Sequence, residues 1–209
     1  MDTPNSLAEH CINQQIFALD YLHKVIKTKE YELARDVIEQ AAKSNYTRRV
    51  LTAGVGKNAN IATKIAETMM SLGIAAGSIN VSHLGHGDYG GIGHNDVIIH
   101  ISRSGTTSEM VEAMRHICDI RPHVTQILVH CNKDKPKNIH ANIELFIGAV
   151  VEGDEFGLAP TTSTTALLCI LDCLSVEVSH NIGFKRMDFL TFHPPGAFGQ
   201  LLQAEKKGS

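Results

Sequence analysis

The chain has 209 residues, of which 43% are hydrophobic and 20% are charged, and 22 acidic against 19 basic residues give a formal net charge of -3. This composition fits one globular domain with a core large enough for an enzyme. It argues against a protein that holds nucleic acid by its charge. The apolar run at residues 166–171 stops at Asp172, far short of a membrane span, and the N-terminus has neither the basic nor the apolar region of a signal peptide. We therefore predict a cytoplasmic protein with neither nucleic acid nor membrane as a partner.

The N-terminal part, residues 1–44, is predicted to form two helices that precede the main domain of residues 45–205. Apolar residues recur there every three or four positions, at Ile12, Ile16, Leu19, Leu22 and Ile26, and a second stripe begins at Leu33. Asn5 or Ser6 can cap the first helix. We expect this helix pair to pack on the main domain or on a neighbouring subunit.

From residue 50 onwards, short apolar runs alternate with helical segments. Strands are predicted over residues 50–53, 75–81, 96–101, 124–130 and 144–150, and helices over 59–72, 110–119 and 164–180. This alternation predicts an α/β fold with a five-stranded parallel sheet and helices on both faces. Since ligands bind such sheets at the carboxyl ends of the strands, the turns that follow the strands should hold the functional site.

Two of these turns are typical of phosphate binding. In the first, Gly56, Lys57 and Asn58 combine close backbone approach with a positive charge, although the spacing of a nucleotide-binding loop is absent. The second, residues 102–109, places five hydroxyl side chains and a glycine at a helix start, where N–H groups and the helix dipole favour an anion. The alternative is a capped helix with Ser104 as its cap, but one hydroxyl would suffice for that.

A third hydroxyl-rich turn, residues 160–165, opens the last long helix, and it is either a cap or a second part of the anion site. Glu152, Asp154 and Glu155 lie just upstream. A carboxylate at the edge of a phosphate site is costly unless it moves a proton. Asp154 and Glu155 are interpreted as a solvated loop, which leaves Glu152 as the candidate base.

Two histidine-containing segments complete the inventory. His83, His86 and Asp88 lie in a glycine-rich loop, and His193 precedes two prolines. Histidine suits proton transfer near neutral pH. The first three could also ligate zinc, as could Cys169 and Cys173 on one helix, but neither spacing supports a metal site. The five cysteines include no CxxC pair and are interpreted as reduced thiols. We predict no metal and no cofactor.

A phosphate cradle, a lysine, one or two acids and two loop histidines suit a small phosphorylated molecule that undergoes proton transfer. Sugar-phosphate aldose–ketose isomerisation needs this set: a group that opens the ring, a base that moves a proton between adjacent carbons through an enediol, and a donor that stabilises the oxyanion.

The motifs resemble the sugar isomerase (SIS) family and, within it, the D-arabinose-5-phosphate isomerases. The matching segments are GVGKNANIATKIAETMMSLG, HGDYG, DVIIHISRSGTTSEM, GLAPTTSTTALLCILD and DFLTFHPPGAFG. The resemblance implies a flavodoxin-like three-layer αβα sandwich, usually a tetramer, with active sites built between subunits. It also implies interconversion of D-ribulose 5-phosphate and D-arabinose 5-phosphate, the first step towards Kdo of lipopolysaccharide or capsule.

The same resemblance assigns the site residues. Catalytic roles fall on Lys57, His86, Glu109, Glu152 and His193. Phosphate-binding positions fall on Gly56, Asn58, Ser102, Ser104, Thr107, Thr161, Thr162 and Ser163. We expect Glu152 or a histidine to move the proton, His193 or His86 to assist ring opening, and Lys57 to stabilise negative charge. For Glu109 the alternative is that it only orders the cradle.

The chain departs from the family pattern at three positions. Arg103 stands where asparagine is common, Thr106 where glutamate is common, and Pro195 where glycine is common. Many members also carry two CBS modules, and we expect a short form without them. Another sugar-phosphate isomerase of the family, such as a hexulose-phosphate isomerase, and a non-catalytic sugar-phosphate sensor remain as alternatives.

Overall fold

The fold is built on one sheet of five parallel strands, seen in a computed structural model that describes residues 6–134, 137–193 and 199–200. The strands are β1 Val50–Gly54, β2 Ala76–Asn80, β3 Val97–Ser102, β4 Thr125–His130 and β5 Ile143–Phe146. Their order is β2-β1-β3-β4-β5, the flavodoxin-like order, so the predicted sheet is confirmed. β1 and β3 lie side by side, and the chain leaves them towards opposite edges of the sheet.

Helices cover both faces of the sheet. They are α1 Leu7–Val25, α2 Lys29–Ala42, α3 Lys57–Ser71, α4 Ser108–Ile120, α5 Thr162–Asn181 and α6 Arg186–Phe192, with short 3-10 helices at Val81–His86 and Asp88–Gly91. Successive residues of the buried strand β3 face opposite sides. Ile99 packs with α1, α2, α3 and α5, whereas Ile98 packs with α4 and the 3-10 helices. The three-layer sandwich is therefore confirmed.

The N-terminal helices begin where the sequence predicts. Ser6 caps α1, because its Oγ accepts the Glu9 N–H at 3.1 Å, and Thr28 caps α2 by accepting the Tyr31 N–H at 3.3 Å. Helix α1 buries Leu22 and Val25 against the domain. The predicted apolar stripe is only partly covered, since Ile12 and Ile16 stay exposed.

The last strand is shorter than its sequence predicts. The apolar run suggested a strand to residue 150, but β5 ends at Phe146. Gly148 has a φ of +105°, and a Cβ there would lie 2.6 Å from the ring of Tyr21. The chain therefore leaves the sheet at Gly148, where it packs against Tyr21 of α1 and only glycine fits. This early exit leaves residues 147–161 free to carry Glu152 towards the carboxyl edge of the sheet.

Helix α5 is the central helix of its face. Of the helices in the described residues, it alone is long and apolar enough to cross a membrane. It packs against α1, α2 and α3 and buries ten of its 20 residues. These contacts are those of the core helix of a folded domain.

A buried histidine on β3 makes the stability of the fold depend on pH. The Nε2 of His100 lies 2.8 Å from Oε1 of Gln126, whose amide nitrogen donates to the Met114 carbonyl at 3.0 Å. The amide oxygen can only accept, so His100 Nε2 donates. Complete burial lowers the pKa of His100 to about 4, although the bond to Gln126 opposes that change.

We expect the free energy of unfolding to fall as the pH falls from about 6.5 to 4, because the unfolded chain takes up a proton that buried His100 refuses. The loss should reach on the order of 3 kcal/mol below pH 4. Urea unfolding across this range measures it. His100→Asn keeps an N–H donor for Gln126 but cannot titrate, so its pH dependence should be flatter. An equally steep dependence in this variant would assign the effect to other groups.

Candidate active site

The turn from β1 to α3 requires glycine at two positions for different reasons. A Cβ on Gly54 would lie 2.3 Å from the Asn58 carbonyl, so only glycine lets the helix start this close to the strand. Gly56 has a φ of +59°, a left-handed conformation. The turn places Lys57 as the first residue of α3, where its side chain is exposed to solvent.

The turn from β3 to α4 folds into a cradle of hydroxyl groups. The Oγ of Ser102 accepts the Gly105 N–H at 3.0 Å, and that of Ser104 accepts the Thr106 N–H at 3.2 Å. Oγ1 of Thr107 lies 3.4 Å from each of the two serine hydroxyls. Gly54 pairs with Ile101 in the sheet, so this cradle lies next to the Gly56–Lys57 turn. The structure thus brings together the first two predicted phosphate-binding turns.

The helices that start at this edge differ from α1 and α2 in how they are capped. In α1 and α2 the side chain of the N-cap residue accepts a hydrogen bond from the helix. In α3, α4 and α5 the N-cap residues Gly56, Thr107 and Thr161 make no such side-chain bond within the described part of the chain. The N-termini of α3 and α4, which no side chain caps in this way, are suited to an external anion.

Helix α5 is brought to the same edge by its packing against α3. Lys64 of α3 forms an ion pair with Asp172 of α5, and the Ser179 hydroxyl donates to the Leu72 carbonyl at the end of α3. In both contacts the residue of α5 lies about the same number of positions after its partner in α3, 108 in the first and 107 in the second. The two helices therefore run parallel. The same offset places Lys57 level with the first turn of α5. Thr161, Thr162 and Ser163 therefore start their helix at the same level as the lysine.

Glu152 is the buried carboxylate of the site. Its Oε2 accepts the N–H groups of Thr161 at 3.0 Å and Ser163 at 3.1 Å, so it takes the place of a cap for α5. Burial alone would raise the pKa of Glu152, but hydrogen bonds from Ser163 and Thr161 and the charge of Arg103 outweigh burial and lower it. Glu152 is therefore ionised at neutral pH and able to accept a proton.

Arg103 is the counter-charge that sequence analysis missed. Its Nε lies 2.9 Å from Oε1 of Glu152, in an ion pair that lacks the alignment of a hydrogen bond. The sequence showed only that Arg103 adds a cation beside the cradle. A signal was available, because a buried carboxylate needs a cationic partner, and Arg103 follows a strand that ends at this edge. A cavity of about 280 Å³ opens beside the pair and is lined by Arg103, Ser104, Cys131, Asn132, Lys133, Asp134, Ala149 and Val150.

Glu109 and His86 lie at this edge without entering the cluster. Glu109 is the second residue of α4, and its exposed carboxylate accepts the Ser108 hydroxyl at 3.0 Å. The backbone N–H of Glu109 and this bond lower the pKa of its carboxyl group. His86 ends the first 3-10 helix, beyond Asn80 of β2, and is exposed. Within the described residues, no hydrogen bond joins either side chain to the hydroxyls of Ser102, Ser104 or Thr107.

His193 lies at the far end of α3. Its Nε2 is 3.3 Å from the Ser71 hydroxyl, and Ser71 is the last residue of that helix. The 14 steps from Lys57 to Ser71 span about 21 Å along the helix. Nδ1 of His193 donates to the Phe189 carbonyl at 2.9 Å, which leaves Nε2 as the acceptor of the Ser71 hydroxyl. One chain therefore does not bring His193 to its own Lys57. Pro195, the adjacent departure from the family pattern, lies outside the described residues.

The described residues contain no group of three histidine, cysteine, aspartate or glutamate side chains that could hold an ion. This includes the His83, His86 and Asp88 segment and the cysteine pair of α5. The side chains that stand at this edge of the sheet are a hydroxyl cradle, a lysine, an arginine and one ionised carboxylate.

Comparisons with known proteins show what the chain as a whole is similar to. No protein-family model matches the chain. It is 36% identical over 157 residues to arabinose 5-phosphate isomerase KdsD of Francisella tularensis, which is 74% of this chain and 46% of that protein. It is 31% identical over 189 residues to arabinose 5-phosphate isomerase KpsF of Escherichia coli, with coverage of 90% and 56%. The chain thus spans about half the length of these curated relatives.

Solved structures match over more of their length. A Bacteroides fragilis protein, described as a phosphosugar isomerase involved in capsule formation, is 30% identical with a TM-score of 0.76, and the match covers 85% of this chain and 91% of that one. The chain belongs to the sugar isomerase (SIS) family. A second family structure, c3406 of Escherichia coli CFT073 in complex with arabinose 5-phosphate, is 28% identical with a TM-score of 0.77 and coverage of 90% and 96%.

Proposed function

We propose that this SIS chain is an aldose–ketose isomerase that interconverts D-ribulose 5-phosphate and D-arabinose 5-phosphate and so supplies the precursor of Kdo. One observation carries the proposal: an ionised, buried carboxylate, Glu152, lies beside a hydroxyl cradle at the edge where three helices begin. The names of the curated relatives, and the sugar phosphate bound in the Escherichia coli structure, support the choice of sugar.

The reaction uses these groups in sequence. The phosphate is held by the cradle of Ser102, Ser104 and Thr107 together with the first turns of α3 and α5. Glu152 takes a proton from C1 of the ketose, and the electrons of that C–H bond form the enediol while the oxygen on C2 becomes negative. Return of the proton to C2, and movement of the hydroxyl proton from O1 to O2, gives the aldose. Lys57, a cation at a helix N-terminus, is placed to stabilise the oxyanion.

The direct test is to incubate the chain with D-ribulose 5-phosphate, without added metal, and to separate the pentose phosphates. We expect D-arabinose 5-phosphate to form. Absence of conversion, with a rise in melting temperature on adding sugar phosphates, would favour another substrate of the family or a sensor. Absence of both effects would contradict the assignment of the cradle.

We further propose a cytoplasmic homo-oligomer, expected to be a tetramer, whose active sites form between subunits. Two observations support this. His193 lies about 21 Å along α3 from Lys57, so its catalytic role requires a neighbouring chain. In addition, α1 and the loop before α5 expose large apolar side chains that a second copy could cover: Leu7, Ile12, Ile16, Phe17, Phe156 and Leu158.

The substitution Ile16→Lys should weaken this association. Ile16 is 59% exposed, so the change leaves the folded chain nearly as stable while placing a charge in the proposed interface. Light scattering after gel filtration should show smaller species at micromolar concentration. Glu9→Lys, on the same helix, changes a side chain that is already polar and serves as the control. An unchanged mass for Ile16→Lys would place the interface elsewhere.

A further inference from the structure

Arg103 lies between Ser102 and Ser104 of the cradle in sequence, but its charge is paired with a residue outside the cradle. Its guanidinium pairs with Glu152, and the two partners differ in exposure: 49% of the Arg103 side chain is accessible against 0% for Glu152. The carboxylate is therefore fixed in the protein interior. The arginine is a long side chain with access to solvent, and it can move without unfolding its surroundings.

The two oxygens of Glu152 are not equivalent. Oε2 is committed to the N–H groups of Thr161 and Ser163. Oε1 is buried, and no aligned hydrogen bond from the described residues reaches it, so the charge of Arg103 is its main compensation. Oε1 is consequently the atom that can accept a proton from substrate, and in the empty site Arg103 covers it.

Within the described residues, Arg103 is the charged side chain that pairs with Glu152 and lowers its pKa by its charge. Cys131, which follows β4, is close, but burial raises the pKa of its thiol to about 12, and it stays neutral. At the start of α5, Glu152 receives hydrogen bonds from the N–H groups of Thr161 and Ser163 and from the Thr161 hydroxyl, none of which carries a charge. A bound phosphate would bring nearly two negative charges and three acceptor oxygens into the cradle beside Arg103. A guanidinium can donate two parallel hydrogen bonds to these oxygens. That arrangement is stronger than the contact between Arg103 and Oε1 of Glu152, which lacks the alignment of a hydrogen bond.

We propose that Arg103 is a positioning residue with two alternative anionic partners, Oε1 of Glu152 in the empty site and the phosphate of the substrate in the occupied site. The proposal rests on the proposed isomerase function. Phosphate binding draws Arg103 away from Glu152, which uncovers Oε1 and increases its affinity for a proton only when a substrate carbon is in place. In the empty enzyme, the same ion pair keeps the buried carboxylate compensated.

Binding of inorganic phosphate tests this coupling without turnover. In calorimetry on the full chain, Glu152→Gln should tighten phosphate binding about tenfold, since Arg103 no longer has a competing partner. In the Arg103→Gln background, the same Glu152→Gln change should alter affinity by less than about twofold. An equal gain in both backgrounds would show simple charge repulsion and overturn the proposal. Melting curves verify that each variant is folded.

The pH dependence of turnover provides the second test. In the unmodified enzyme, the acid limb of kcat should lie at higher pH than that of kcat/KM, because these limbs report the occupied and the free enzyme. We call the difference in pH between these two acid limbs the gap. Arg103→Gln should abolish the gap and raise KM about tenfold, whereas Arg103→Lys should preserve part of it. Lys133→Gln removes another cation from the same cavity and should keep the gap intact.

A gap that persists in Arg103→Gln, or a KM no higher than that of Lys133→Gln, would overturn the proposal. The two tests also separate this inference from the proposed function. If D-ribulose 5-phosphate is not converted but phosphate binding depends on the Arg103–Glu152 pair, the isomerase assignment fails and the role of Arg103 stands.

Discussion

Replacing Glu152 by glutamine should lower kcat by two to four orders of magnitude, the usual contribution of a positioned general base. Glutamine has the same shape, and its amide oxygen can still accept the N–H groups of Thr161 and Ser163 that organise the start of α5. It cannot hold a proton taken from the substrate. We therefore expect a folded protein that binds sugar phosphate and turns it over very slowly.

The matched control is Asp154→Asn, two residues along the same loop. Asp154 is half-buried, and its Oδ1 accepts the N–H groups of Leu158 and Ala159 at 2.8 Å each, contacts that asparagine can keep. Its kcat should stay within about twofold of the unmodified enzyme. Steady-state kinetics with D-ribulose 5-phosphate compares the two variants. If Glu152→Gln retained more than a tenth of the activity, another group would have to transfer the proton. His86 and His193 would then be the candidates for the base.

Mixing two inactive variants should restore activity if the site is shared between chains. Lys57→Ala and His193→Ala should each lose at least a hundredfold in kcat/KM. Random assembly of the two co-expressed chains should rebuild about a quarter of the sites, because an intact site needs Lys57 from one kind of chain and His193 from the other. The rate of the purified mixture, compared with each variant alone, measures this recovery.

A site formed within one chain gives the opposite result. Every mixed assembly would then contain only damaged sites, and the rate would equal the average of the two variants. Co-expression of Lys57→Ala with Glu152→Gln is the internal control. Both residues lie at the carboxyl edge of the same sheet and belong to one site, so this pair should show no recovery.

The sequence predicted the parts of the fold that depend on local patterns. Alternation of apolar runs and helical segments placed all five strands, and the hydroxyl-rich turn after β3 indicated the cradle. Both signals are local, since strand burial and helix capping are decided within a few residues. The early end of β5 was missed because the apolar residues on both sides of Gly148 look like a strand until Tyr21 of α1 occupies the space above the glycine.

Pairings between distant segments account for most of what could not be predicted from the sequence. Arg103 and Glu152 are far apart in the chain, and only the order of β3, β4 and β5 brings their loops together. The separation of His193 from Lys57 has the same origin, because it depends on where α6 packs against the end of α3. Motif order along the chain does not reveal which end of the sheet each motif reaches.

The distance along α3 has a consequence for how this protein would behave on dilution. A lone chain holds the cradle, Lys57 and Glu152 at one end of the helix and His193 at the other. If the proposed shared site is correct, dissociation of the oligomer would leave substrate binding intact and abolish turnover. Phosphate would still bind to the dispersed chains. The specific activity, by contrast, would fall as the protein is diluted and would recover with a lag when the protein is concentrated again. The catalytic rate would then measure how much of the protein is assembled.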